Sequence, residues 1–535
     1  MNFTAENIPY QQTGAFSTLV IDYLNENPLL KDLYRFQPTL DGVKEAVAAR
    51  QFAPVNRKIL HSVLTEQYTT IETNETVQAN IDALLSNDTF TVCTAHQPNI
   101  FTGHLYFIYK IIHAIKLSNH LNESIPNKKF VPVYYMGTED ADLEELGEVY
   151  INQTTYHWQT NQKGAVGNML VDKALINLIN EISGQIAIEP FGQSIIDVLR
   201  NCYTLGNTIA LSTFKLVHQL FANFGLVVLL PEHTSLKKIF TPIVEKELTA
   251  QFSQNAVATT VANFPQGYKL QTVGRPINLF YLKDDIRERI EADGDYFSVV
   301  NTNLHFTKDE ILAELQQHPE RFSPNVILRP VYQETILPNV AFIGGGGEMA
   351  YWLELKKVFE AVDVFFPPLI LRNSYTILNK TCMDLMQKLS LQTLDIFKTP
   401  ETLLNNLVKK QSTLQLHLQN EIAALQQFYA TINNAATLID ASLNTHVNAL
   451  ATKASQKLLA LEKKMLKAEK KKFEAQQRQI LKLKSFVNPT NNLQERVDNV
   501  VAYYSKYGNE FISAVYNHAA AFENGFTILK ESDHG

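Results

Sequence analysis

The chain has 535 residues, 45% hydrophobic and 19% charged, with a net charge of −7. That length exceeds what one hydrophobic core supports, so two or three structural units are expected. The composition excludes a disordered chain, and the acidic balance argues against general nucleic-acid binding.

The opening MNFTAENIPY has no basic lead and no apolar stretch, and no apolar run approaches the roughly 18 residues of a membrane helix, so a cytoplasmic protein without a membrane partner is expected. Cys93, Cys202 and Cys382 are scattered and odd in number, which fits reduced thiols and a structure with neither disulfides nor a zinc site.

Residues 1 to about 90 read as a mainly helical lead-in, with a helix over 41–53 stopped by Pro54. The pattern then changes. TFTVCTA, LYFIYKIIHAIKLSNHL and KFVPVYYMG read as strand, helix and strand, the βαβ unit of a parallel sheet. Three later apolar runs, at 224–231, 340–344 and 362–372, extend that sheet. The fold class expected is α/β, a Rossmann-like doubly wound parallel sheet over residues 1–378, interrupted by insertions near 150–215 and 250–325.

From Lys380 glycine disappears for more than a hundred residues and long helices take over. Over 401–430 a seven-residue frame places Leu404, Leu407, Leu414, Leu418, Leu425 and Phe428 on one seam. A second helix carries Leu458, Leu461, Met465 and Ala468, then shifts phase at Lys472 to Phe473, Ile480 and Leu483. That stutter predicts an antiparallel coiled-coil arm over 379–488 rather than a perfect zipper, followed by a C-terminal helical segment over 489–535. Residues 456–484 hold ten Lys and Arg against three Glu, which reads as a solvated helix face, with a polyanion site as the sharper alternative.

Three constellations are able to carry chemistry. The first is the strand-to-helix turn with His96, Gln97, Asn99, Thr102, Gly103 and His104, placed where an open α/β sheet binds anions. Either imidazole there is a candidate for charge neutralisation or general base work; Pro98 and Gly103 merely shaping a turn is the plainer alternative. The second follows FVPVYYM, where five carboxylates fall within residues 139–145. Glu139, Asp140 and Asp142 are the candidates for orienting an ammonium, holding magnesium or deprotonating an amine; an idle helix start competes. The third combines Arg329, Gln333 and Glu334 with Gly344, Gly345, Gly346, Gly347, Glu348 and Tyr351. Arg329 suits a bidentate grip on a carboxylate, and the glycines suit close backbone approach as an anion nest. The run is neither GxGxxG nor a phosphate loop.

Together, AHQPNIFTGHLYFIYKI, VPVYYMGTEDADLEELGEVY, RFSPNVILRPVYQETILPNVAFIGGGGEMAYWLELK and PPLILRNSYTIL resemble the bacillithiol biosynthesis cysteine-adding enzyme family, in order and spacing along most of the chain. The resemblance implies a Rossmann-like core, a helical coiled coil that makes a homodimer, and a ligase that joins cysteine to glucosaminyl malate through an amide bond. It also implies activation by ATP with magnesium and no zinc. Glu139, Asp140, Asp142 and His104 would be catalytic, and the remaining residues of the three constellations would bind substrate or nucleotide. Rival readings are a nucleotidyltransferase acting on another small acid and a non-catalytic coiled-coil scaffold.

Overall fold

A computed structural model describes residues 2–53, 55–72, 74–272, 274–294 and 296–532. The chain divides into two compact units, Met1–Ile377 with Asn492–Gly535, and Leu378–Asn491. The last forty or so residues of the chain thus return to the first unit, where the strand Phe526–Ser532 pairs antiparallel with Asn2–Ile8.

The first unit is built on a five-stranded parallel sheet, ordered Leu369–Leu371, Asn339–Gly344, Thr89–His96, Lys129–Met136 and Val227–Leu229. Thr89–His96 is buried along its whole length. Such an unbroken apolar run is what a strand covered on both faces requires. The helix Leu105–Ser124 follows it directly and buries most of its surface. Phe90, Val92, Ala114, Leu117, Leu121, Phe130, Val340 and Ile343 form one contiguous core between sheet and helices. Each large side chain buried there stabilises the fold by about 1.5 to 3 kcal/mol.

Chain order within the sheet matters for function. The first strand lies in the middle, the next two stack on one side of it, and the last two stack on the other. The strand order reverses between Thr89–His96 and Asn339–Gly344, and loops at the carboxyl ends of those strands diverge to leave a crevice.

The two insertions have different characters. Residues 150–215 hold part of a two-stranded hairpin, Glu148–Ile151 with Thr154–His157, and then helices. Residues 250–325 carry a separate antiparallel sheet in which Leu279–Lys283 and Ile286–Asp293 form a hairpin and Phe322–Pro324 pairs with the first of them. The helix expected over 41–53 spans Leu40–Arg50; Pro54 lies outside the described residues. No helix among the described residues is long and apolar enough to cross a membrane.

The second unit is helical. Gln419–Ile439 and Leu443–Lys470, joined by residues 440–442, form an antiparallel hairpin, with Asn433 Nδ2 donating to Asn444 Oδ1 (3.0 Å) near the turn. The phase shift at Lys472 is a physical interruption, a single 3₁₀ turn over Lys471–Phe473 between Leu443–Lys470 and Glu474–Val487. The seam expected over 401–430 is corrected: the helix Pro400–Gln411 stops before Gln419–Ile439 begins. Leu404 and Leu407 are buried with Leu416, Phe473 and Ile480, whereas Leu414 is exposed. Part of the basic stretch, including Lys463, Lys467 and Lys471, lines a hollow between these helices beside Glu401, Glu462 and Glu474.

Candidate active site

The carboxyl ends of four parallel strands open into one cavity of about 660 Å³. It is lined by His96 and Gln97 after the first strand, Gly137, Thr138, Glu139 and Asp140 after the second, Gly345, Gly347 and Glu348 after the fourth, and Arg372 after the fifth. Parts of all three constellations therefore converge, although the glycine run of the third lies some two hundred residues beyond the other two in sequence.

The first turn is unusual in its backbone. Phe101 and Thr102 adopt φ of 50° and 74°, and Gly103 follows at 62°. Left-handed non-glycine residues each cost of order 1 kcal/mol and persist only where the surroundings hold them. The clamp comes from the segment that follows the helical unit in sequence. Asn499 Nδ2 donates to the carbonyls of Phe101 (2.8 Å) and Gly103 (2.5 Å), and the Leu105 N–H donates to the Asp498 carbonyl (2.8 Å). A Cβ on Gly103 would lie 2.7 Å from Asn99 Cβ, so glycine is required.

This clamp separates the two histidines. His104 Nδ1 donates to the Val497 carbonyl (3.1 Å), and the residue does not line the cavity. His96 lines it, is 8% exposed, and its Nε2 has no hydrogen-bond partner. Burial, then the neighbouring Lys110, His104 and Arg372, hold the His96 pKa well below the usual imidazole value, so the ring is neutral. Asn99, Thr102 and Gly103 shape the turn and stay out of the cavity lining, while Gln97 Nε2 reaches Asp140 Oδ2 (3.2 Å).

The acidic loop also divides. Glu139 is ion-paired with the buried Lys237 (2.5 Å) and accepts from Ser323 Oγ (2.7 Å). Asp140 is held by neutral donors only, the Gln97 amide and the N–H groups of Ala141 (2.7 Å) and Asp142 (3.3 Å). Asp142 turns away and accepts the Glu145 N–H (3.1 Å), capping a single helical turn. Glu145 does line the cavity, and its pKa is raised by burial and then by the charges of Asp142 and Asp140. Thr138 Oγ1 donates to Glu232 Oε2 (2.6 Å), whose pKa burial also raises.

In the third constellation Arg329 donates to Gln333 Oε1 (3.1 Å) and Tyr351 OH (3.0 Å) and faces the Tyr135 ring. No carboxylate among the described residues pairs with it. Gln333 and Glu334 do not reach the cavity; both are fully buried behind it, Glu334 accepting from Gln333 Nε2 and Asn339 Nδ2 (both 2.8 Å). The four glycines make the strand end and the start of the helix Gly346–Leu353, all with ordinary negative φ, rather than a curled nest. The Gly345 N–H already donates to Glu348 Oε2 (2.9 Å), and that oxygen also meets Lys110 Nζ (2.5 Å). Gly344 has another reason to be glycine, since a Cβ there would meet the Phe342 ring at 2.9 Å.

Several lining residues lie outside the three constellations. Lys110 sits two helical turns after His104 with Nζ on the Ala95 carbonyl (2.6 Å); a lone lysine inside LYFIYKIIHAI is the signal that could have found it. Arg372 forms a buried two-pronged ion pair with Glu495 (2.7 and 3.0 Å), and Arg496, next in sequence to Glu495, lines the cavity with no ion pair among the described residues. Arg275, Phe280 and Arg287 arrive from the inserted sheet region, whose sequence carries no motif. Among the described residues no group of three or more His, Cys, Asp or Glu side chains is placed to hold a metal ion.

Comparison with known proteins gives this geometry a family. The family description "Bacillithiol biosynthesis BshC, N-terminal Rossmann-like domain" matches residues 3–373, and "Bacillithiol biosynthesis BshC, C-terminal coiled-coil domain" matches 375–531. Among its relatives, a protein of Flavobacterium johnsoniae is 37% identical over 98% of this chain and 99% of its own, and one of Christiangramia forsetii is 38% identical over 98% of each. One from Bacillus cereus is 26% identical over 96% of this chain and 98% of its own. All three bear the name "Putative cysteine ligase BshC". With both of its domains matched end to end, the chain belongs to the bacillithiol biosynthesis BshC family.

Proposed function

We propose that this protein is a ligase that joins L-cysteine to glucosaminyl malate through an amide bond, the last step of bacillithiol synthesis. The observation that carries the reading is the cavity's polarity. Its lining includes Arg329 and Arg496, cations without a carboxylate partner among the described residues, together with the acids Asp140 and Glu145. Malate brings two carboxylates and the sugar brings an ammonium, so each finds its complement.

The chemistry follows from that complementarity. The glucosamine nitrogen, once deprotonated, attacks the carbonyl carbon of an activated cysteine carboxyl; the C–N bond forms, the bond to the activating oxygen breaks, and the proton passes to a protein carboxylate. Glu145, with its raised pKa, is the acceptor, whereas Glu139 is already engaged by Lys237 and Ser323. Glu139 and Asp140 orient ammonium groups, and His104 acts through the shape of the turn.

ATP supplies the activation in this reading. Its phosphates suit Arg275 and the free Nε2 of His96, which line the same cavity, and magnesium would arrive with the phosphates. The helix start offers less than expected to a phosphate, because the Leu105 N–H is already bonded to Asp498. A homodimer through the helical unit is part of the same proposal: Phe428 is 62% exposed and Leu438 90%, on a hairpin with further exposed leucines.

The test is incubation of the purified protein with glucosaminyl malate, L-cysteine and ATP, followed by mass spectrometry. The amide product is expected only when all three are present. Product at an unchanged rate without nucleotide would overturn the activation step, and no product under any condition would overturn the ligase reading.

A further inference from the structure

The inserted antiparallel sheet brings a cation to the cavity that the reading above does not use. Arg287 lies on Ile286–Asp293, with its guanidinium 4.0 Å from the centroid of the Phe280 ring and its Nε buried without a hydrogen-bond partner. Stacking on the ring fixes the plane of the guanidinium, which pre-organises its fork for a carboxylate. Burial lowers its pKa, and the carboxylates of Asp140 and Glu139 are the first to oppose that shift, so these groups lie within electrostatic reach. They do not close on one another: among the described residues no ion pair joins Arg287 to either acid.

Glu139 has its own cation in Lys237, whereas Asp140 is held by neutral donors and keeps its charge available. A third group points the same way, the neutral, nine-tenths buried His96, which lines this cavity with an unpaired Nε2. An open pair of opposite charges that stays apart suits a ligand carrying both charges on neighbouring atoms. An α-amino acid zwitterion is such a ligand.

We propose that Arg287 and Asp140 form an α-amino acid subsite, the guanidinium receiving the α-carboxylate and Asp140 the α-ammonium. This deepens the ligase reading, and rests on it only in taking that amino acid to be cysteine. The subsite leaves Arg329 and Arg496 for the second, dicarboxylate substrate. It also explains why the cavity draws on the insertion at all: the parallel sheet's own loops place the anion, and the hairpin brings the cation opposite it.

The experiment is calorimetric titration of the full-length protein with L-cysteine, with cysteamine, which lacks the carboxylate, and with 3-mercaptopropionate, which lacks the ammonium. L-cysteine is expected to bind the wild type on the order of tenfold to a hundredfold more tightly than either analogue, the range of a charge-assisted hydrogen bond. Arg287→Ala is expected to bring cysteine down to the level of cysteamine and leave cysteamine unchanged. Asp140→Asn is expected to do the mirror image with 3-mercaptopropionate. Arg287→Lys, which keeps the charge and loses the fork, should recover part of the difference.

Equal affinity of the wild type for cysteine and both analogues would overturn the subsite without reference to any variant. So would an Arg287→Ala protein that loses cysteine and cysteamine by the same factor. If the wild type ignores cysteine but binds another α-amino acid with the same dependence on Arg287 and Asp140, the subsite stands and the cysteine assignment falls.

Discussion

The two ends of the central strands treat buried charge in opposite ways. At the amino end, Asn339 opens its strand by donating to Glu334 (2.8 Å), accepts from Thr91 Oγ1 (3.3 Å), and Arg50 donates to the carbonyls of Glu334 (2.7 Å) and Leu337. Polar groups there bond to each other and to main-chain carbonyls, and Arg50 Nε and Glu334 Oε2, buried without a partner among the described residues, belong to residues that do not line the cavity. At the carboxyl end, beside the ion pairs Lys110–Glu348, Lys237–Glu139 and Arg372–Glu495, charges are left over among the described residues: Arg329 has only neutral partners, Arg287 and Arg496 have no ion pair, and His96 Nε2 has no partner. A network that faces away from the cavity holds the fold in register, whereas open charges lining it cost stability that a ligand recovers on binding. The difference makes the carboxyl edge of the sheet the proposed site of function and the amino edge its structural support.

The strongest way to break this contrast is Arg329→Ala. Removing a buried, preorganised cation from the open end should lower kcat/KM for the malate conjugate by about a hundredfold to a thousandfold, with the denaturation midpoint little changed. An activity loss matched by a large loss of stability would make Arg329 a structural residue like those at the amino end.

Next in size is Asn499→Ala, which removes two hydrogen bonds from a turn held in the left-handed region. Denaturant unfolding should report a loss of about 2 to 3 kcal/mol. Activity should fall with it, because His96 and His104 flank that turn.

Glu334→Gln sharpens the comparison through pH. Burial raises the Glu334 pKa to about 7 from the ordinary 4.5, against the opposing effects of Arg50, Gln333 and Asn339. The folded state thus holds this proton more tightly than the unfolded state. The group contributes stability below about pH 4.5 and loses it as pH rises through about 7. Glutamine accepts the same two hydrogen bonds without titrating. The variant should match the wild type near pH 5 and exceed it by on the order of 2 kcal/mol at pH 8, seen in unfolding curves across that range.

The smallest effect is expected at Asp142→Asn. Asparagine caps the short helical turn as aspartate does, and the side chain faces away from the cavity. Steady-state activity should change by less than about threefold, whereas a hundredfold loss would restore Asp142 as a catalytic group.

Sequence pattern reveals what depends on local periodicity and turn chemistry. The strands of the parallel sheet, the turn marked by Gly103, and the phase shift at Lys472 were all readable, because each leaves its mark within a few residues. The position of His104 outside the cavity lining leaves no mark in the local sequence, because the groups that hold its turn, Val497 and Asn499, lie almost four hundred residues further on. Glu334, five residues after Arg329 on the helix, faces elsewhere, whereas Gln333, four residues after it, shares its face and is taken up in holding the Arg329 guanidinium (3.1 Å). Arg287 left no trace, since an arginine on an exposed-looking hairpin has no local signature; its meaning comes from Phe280 across the hairpin and Asp140 across the cavity. The leucine seam over 401–430 continued in frame through a break, because heptad spacing records only which residues are apolar, and Ser412 folds back there to accept the Leu414 N–H (3.1 Å).

Equilibrium binding of glucosaminyl malate to the wild type, Arg329→Ala and Glu334→Gln proteins bears most directly on the contrast between the two ends of the sheet. Glu334→Gln should bind as the wild type does, and Arg329→Ala should bind about a hundredfold more weakly or worse. Equal binding by all three would contradict the assignment of substrate recognition to the open charges at the carboxyl edge.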